Sequence, residues 1–138
     1  MRITQAMLPS LTVLQGFGLN RHVRGWNRLL KMLFPHDRQP AGRVLTRQWG
    51  ISYLANPANY IDWNVLCFGS YEAGDLAIFP QQVAKRDAVC LDVGANVGHH
   101  TLFFGSLGWK VHAFEPNPKL WPEFQRYVLI LSRTIQSM

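Results

Sequence analysis

The residues whose types and spacing could do chemistry lie between Asp92 and Glu115. The apolar run Ala88-Val89-Cys90-Leu91 is broken by Asp92, ends at Val93 and leads into Gly94-Ala95-Asn96-Val97-Gly98. Glu115 stands 21 residues beyond Gly94, at the end of a second apolar segment. A glycine directly after a strand lets the backbone turn at dihedrals that a side chain forbids. A helix opening behind that turn presents unpaired N–H groups to a carboxylate or another polar edge of a ligand. An acid at the tip of the next strand, about 20 residues on, accepts hydrogen bonds from both hydroxyls of a ribose. The spacing therefore points to a bound nucleoside. The plainer alternative is that the glycines only permit the turn and Glu115 only caps the segment after it.

Which nucleoside is decided inside the turn. A dinucleotide fold needs glycine at the second position of its G-x-G-x-x-G, because the pyrophosphate packs against that backbone. Counted from Gly94, that position holds Asn96, and the third glycine position holds His99. Both are wrong for NAD or FAD. S-adenosylmethionine (SAM) has no pyrophosphate, so a side chain at Asn96 meets no such group. Asparagine also tolerates left-handed backbone better than most residues. Asp92, at the end of the first strand, is placed to hold the positive amino group of the methionine moiety; its other role would be to bond the turn's own amides. His99 and His100 open the helix without an evident partner, so no catalytic base is assigned.

Three segments in this order resemble FkbM-type methyltransferases. Asp92-Val93-Gly94-Ala95-Asn96-Val97-Gly98-His99-His100-Thr101 is similar to the family's first motif, and Ala113-Phe114-Glu115-Pro116-Asn117-Pro118 to its second. Upstream, Gly69-Ser70-Tyr71-Glu72 resembles the G-x-Y-E that precedes the first strand. The likeness covers residues 61–128. It implies a class I SAM-dependent fold and methyl transfer, usually to a hydroxyl oxygen of a sugar or other small natural product. On that basis Asp92, Gly94, Asn96 and Gly98 would hold the methionine and ribose side, and Glu115 the ribose hydroxyls. The resemblance gives Tyr71 and Glu72 no role.

These residues need a β-α-β unit to position them. A run buried on both faces suits a central parallel strand over 88–93. The helix should run from His99 to Leu107, with Gly108 as its left-handed stop, and the second strand from Trp109 to Phe114. The fold class expected is α/β: a Rossmann-like class I methyltransferase fold of which only the first β-α-β-α part is present, behind an N-terminal helical and β-like extension. The division expected is a basic extension over 1–58 and a partial SAM-binding domain over 59–138. A further helical stretch should begin near Pro118 or Pro122 and run through Phe124, Tyr127, Val128 and Leu131. No third strand follows, so the sequence reads as a truncated relative or incomplete reading frame. The first strand would then keep an unpaired apolar edge, open to self-association.

The front of the chain is organised differently. Residues 1–50 carry eight Lys and Arg against one Asp, a net +7, whereas residues 51–138 carry six against seven, a net −1. A near-neutral second part offers no nucleic-acid groove. Residues 21–34 read as a basic amphipathic helix with Val23, Trp26, Leu30 and Leu33 as its apolar stripe. It docks on the domain, or makes weak contact with an anionic membrane surface or a partner groove. Residues 43–54 look like a strand with a bulge at Gly50. Residues 59–68 form a short helix with Ile61, Val65 and Phe68 on one face and Gly69 behind it. A weakly helical stretch to Lys85 is interrupted at Pro80. The five tryptophans are scattered and read as packing residues.

Cys67 and Cys90 lack metal-ligand spacing, and no metal site is expected; Cys90 reads as a buried reduced thiol, which favours a cytoplasmic location. The first residues do not form a secretory signal, and no apolar run approaches the ~20 residues that cross a bilayer. The function expected is SAM-dependent O-methylation of a small molecule or glycan. The alternatives are a non-catalytic SAM-binding or interaction fragment and, further off, an NAD-dependent oxidoreductase.

Overall fold

The structure, a computed structural model, describes residues 2, 24–83 and 88–125 of the 138. Val23, Lys85 and the helical stretch beyond Gln125, with Tyr127, Val128 and Leu131, lie outside the described residues. Two compact units divide the chain. One joins Met1–Gln48 to Leu54–Tyr71, and the other joins Trp49–Tyr53 to Glu72–Met138.

In the first unit, helix α1 (Trp26–Leu33) buries Leu30 and half-buries Trp26. The stripe continues to Phe34, which is buried, and not to Leu33, which is exposed. Positions 26, 30 and 34 are four apart and lie on one face, whereas Leu33 falls to its side. A 3-10 turn (His36–Arg38) comes next, and then β1 (Val44–Gln48). The expected bulge at Gly50 is instead a hairpin turn. Trp49 (φ 47°) and Gly50 (φ 82°) are both left-handed, the signature of a two-residue type I′ turn, and β2 (Ile51–Ala55) pairs back on β1.

Asn59 caps α2 (Tyr60–Phe68), its side chain accepting from the Ile61 and Asp62 N–H groups, and Gly69 ends the helix at φ 81°. The buried set is Asp62, Trp63, Val65, Leu66 and Cys67, while Ile61 and Phe68 are only half-buried. The difference arises because Trp63 is anchored by tertiary structure: its Nε1–H donates to Phe34 O at 2.8 Å. His36 Nε2 lies 3.1 Å from Ala58 O, and Asp62 Oδ2 accepts from Asn56 N–H at 2.7 Å. These bonds hold α2 within the first unit.

The second unit contains two short helices, α3 (Ala73–Leu76) and α4 (Phe79–Gln82). Pro80 sits in the first turn of α4, where its missing N–H has no intrahelical partner to lose, so it opens a helix instead of interrupting one. Strand β3 (Val89–Val93), helix α5 (His99–Ser106) and strand β4 (Lys110–Phe114) come after them, and β3 pairs parallel with β4, Val89 opposite Lys110 and Val93 opposite Phe114. Gly108 stands at φ 80° behind the helix. The core gathers Leu76, Phe103, Phe104 and Trp109, with Trp49, Cys90 and Val111 packed against it. Cys90 is thus half-buried, and Cys67 is the buried thiol.

Alternation along β3 sends its side chains to two faces in very different surroundings. Cys90 and Asp92 face inward, and Asp92 is 8% exposed; Val89, Leu91 and Val93 on the other face are 64%, 66% and 80% exposed. Among the described residues β3 has one strand neighbour, and nothing lies over that outer face.

Candidate functional site

The turn after β3 is built from left-handed residues: Gly94 (φ 80°), Asn96 (φ 54°) and Gly98 (φ 92°). A Cβ at Gly94 would meet nothing within 4 Å, so glycine is needed there for its backbone conformation and not for space. The turn stays on the sheet because Gly94 N–H and Ala95 N–H both donate to Phe114 O, at 2.8 and 3.0 Å. Gly98 then opens α5.

Glu115 fastens this turn to the segment after β4. Its Oε2 accepts from Asn96 N–H and its Oε1 from Asn117 N–H, each at 2.7 Å. Asn117 Oδ1 in turn accepts from Lys119 N–H and caps the 3-10 turn Pro118–Leu120. Residues 121–125 continue as helix, and Trp121 Nε1–H reaches back to Glu115 O at 2.8 Å.

A cavity of about 700 Å³ opens at the carboxyl ends of both strands. Val93, Gly94, Phe114, Glu115, Trp121 and Phe124 border it, and Glu115 is the only ionisable group among the described residues that do. Crevices at the carboxyl ends of parallel strands are where open α/β sheets bind ligands.

Of the five residues proposed from sequence, Gly94 and Glu115 border this cavity, whereas Asp92, Asn96 and Gly98 do not. Asp92 points to the helix side, its Oδ2 accepting from Thr101 Oγ1 at 2.5 Å. It bonds a helix side chain. Asn96 contributes its backbone N–H to Glu115, while its Oδ1 is buried and accepts no hydrogen bond. Gly98 serves as the cap of α5.

Sequence reasoning missed Trp121. It is not a packing tryptophan like buried Trp63 and Trp109, but a half-exposed ring on the cavity. Its position six residues past Glu115, just after a turn that opens with Pro118, was the available signal. Glu72 and His100 also come together, with Oε2 3.1 Å from Nε2 in an ion-pair arrangement, both partly exposed. His99 is buried with its ring 4.9 Å from that of Trp49. Burial, and secondarily the nearby Asp92 carboxylate, pushes the Cys90 thiol pKa up. Among the described residues no group of three His, Cys, Asp or Glu side chains could hold a metal. Neither a protein-family model, nor a curated protein, nor a solved structure matches this chain.

Proposed function

We propose that the chain binds SAM at the ends of β3 and β4 and serves methyl transfer to a hydroxyl of a small molecule or glycan. The observation that carries this reading is Glu115. It borders the cavity with both carboxylate oxygens fixed by backbone amides. Each oxygen keeps a second lone pair, so two neighbouring ribose hydroxyls can donate to a carboxylate that no longer swings. A pyrophosphate suits this place poorly, since the only charge at the border among the described residues is negative. The apolar walls, Val93, Phe114 and Trp121, suit a flat base.

SAM, when bound, supplies a methyl group on positively charged sulfur. The chain's own residues bind and orient: Gly94 and Gly98 shape the turn, Glu115 holds the diol, and the walls exclude water. Transfer then depends on in-line placement of the acceptor oxygen. Both cysteines are free thiols, which suits the reducing cytoplasm included in this proposal. No helix among the described residues is long and apolar enough to cross a membrane. Surface contact with anionic lipid would fall to α1, where Leu29, Met32 and Leu33 are exposed on the element that carries Arg28 and Lys31.

Calorimetry of the full chain should show SAM or its demethylated product binding more tightly than NAD, and tighter NAD binding would overturn the reading. The open face of β3 favours a second reading, a SAM-binding or interaction module without turnover. Transfer of labelled methyl to a panel of hydroxylated acceptors separates the two.

A further inference from the structure

Resting on that reading, we propose that Trp121 is the platform for the base of the bound nucleoside. One short segment behind β4 then reads both halves of the ligand, the base through Trp121 and the ribose through Glu115. Trp121 is 49% exposed at the cavity wall, beside Phe114, itself 56% exposed. An indole left this open in water is unfavourable unless something covers it. It is also held in place. Its Nε1–H bond to the carbonyl of Glu115 fixes one edge of the ring to a residue that borders the same cavity. Ring and carboxylate are thereby joined through one residue's backbone, as a base and a diol are joined through one glycosidic bond. A ring already pinned loses little side-chain freedom when a ligand stacks on it. A two-ring purine overlaps an indole more fully than a one-ring pyrimidine does, so the class of ligand is a purine nucleoside.

The test uses the full chain and measures binding of SAM, adenosine, adenine and cytidine. Adenosine should bind more tightly than cytidine. Trp121→Ala should weaken adenosine and adenine alike by about tenfold, the scale of one lost base stack. Trp121→Phe should retain most of the affinity, since it keeps a ring and loses only the Nε1–H bond. Glu115→Gln should weaken adenosine and leave adenine unchanged. Adenosine should quench tryptophan emission in the wild type but not in Trp121→Phe, a readout that does not depend on the alanine variant folding. If the wild type binds SAM while Trp121→Ala binds adenosine undiminished, the platform is wrong and the SAM reading stands. If Trp121→Phe loses as much as Trp121→Ala, the pin and not the stack carries the effect, and the proposal falls. If the wild type binds neither SAM nor adenosine, both readings fall together.

Discussion

The two units treat their apolar and polar groups in opposite ways. In the first, α2 hides Trp63, Val65, Leu66 and Cys67, and the polar atoms that go inside with them have partners: Trp63 Nε1–H with Phe34, Asp62 with Asn56, the α2 amides with Asn59. In the second, α5 covers one face of the β3–β4 pair and the other face is left open at Val89, Leu91, Val93 and Phe114. Parallel sheets are ordinarily buried on both faces. The open side is where the cavity lies, bordered by Val93, Phe114 and Trp121. The unit built round α2 offers no described site, and the unit that leaves the outer face of β3 open carries the glycine turn, the acid and the exposed indole. The candidate site sits where packing stops.

The sharpest way to break this contrast is a pair of truncations. Trp63→Ala removes a buried ring and the donor to the Phe34 carbonyl, and should cost about 3–5 kcal/mol. Val93→Ala removes methyl groups that already face water, and should change stability by no more than about 0.5 kcal/mol. Urea denaturation of both variants checks this. Comparable losses would mean that β3 is covered in solution and that the contrast is false.

A second prediction concerns the buried thiol of the first unit. Burial pushes the Cys67 pKa up to about 12 from 9.0. The folded chain therefore keeps its proton at a pH where the unfolded chain has lost it. Below pH 9 both states are protonated and Cys67 gives no pH dependence; from 9 towards 12 the unfolded state is favoured by about 1.4 kcal/mol per pH unit. The wild type should lose stability between pH 9 and about 10.5 more steeply than Cys67→Ala does. Equal slopes would show that the thiol is open to solvent.

Much of the second unit was legible because its signals are local. An apolar run bounded by Gly94, a helix bounded by Gly98 and Gly108, and an acid after the next strand are each readable within a few residues. The Asn59 and Gly69 boundaries of α2 are local signals of the same kind. What was not legible depended on distant partners. Phe34 replaces Leu33 in the buried stripe, and its carbonyl receives the Trp63 indole 29 residues on. The type I′ turn was hidden because its first left-handed residue is Trp49, a residue without turn propensity. In the candidate site, the placement of Gly94 and Glu115 at the ends of β3 and β4 could be read from spacing, but the direction of Asp92 could not. The two faces of a strand alternate, and one sequence does not say which face the helix will cover. Thr101 Oγ1 made that choice visible.

The smallest expected effect tests that alternation directly. Leu91 and Cys90 are neighbours on β3, yet Leu91 faces outward at 66% exposure and Cys90 packs against the aromatic core. Leu91→Lys places an ammonium in water and lays its methylene stem along Val89 and Val93, so stability should move by less than about 0.5 kcal/mol. Cys90→Lys puts the same charge against Phe104 and Trp109 without a partner, and should unfold the unit. The outward lysine should do one further thing. An apolar strand with an open edge invites pairing with a second copy, and a charge on such a strand is how soluble proteins block it. Sedimentation velocity over a rising concentration series should show self-association in the wild type and its suppression in Leu91→Lys, with the proposed SAM binding unaffected because Leu91 does not border the cavity. If Leu91→Lys destabilises the chain as much as Cys90→Lys does, the outer face is already covered in solution, and β3 is a buried strand on both sides.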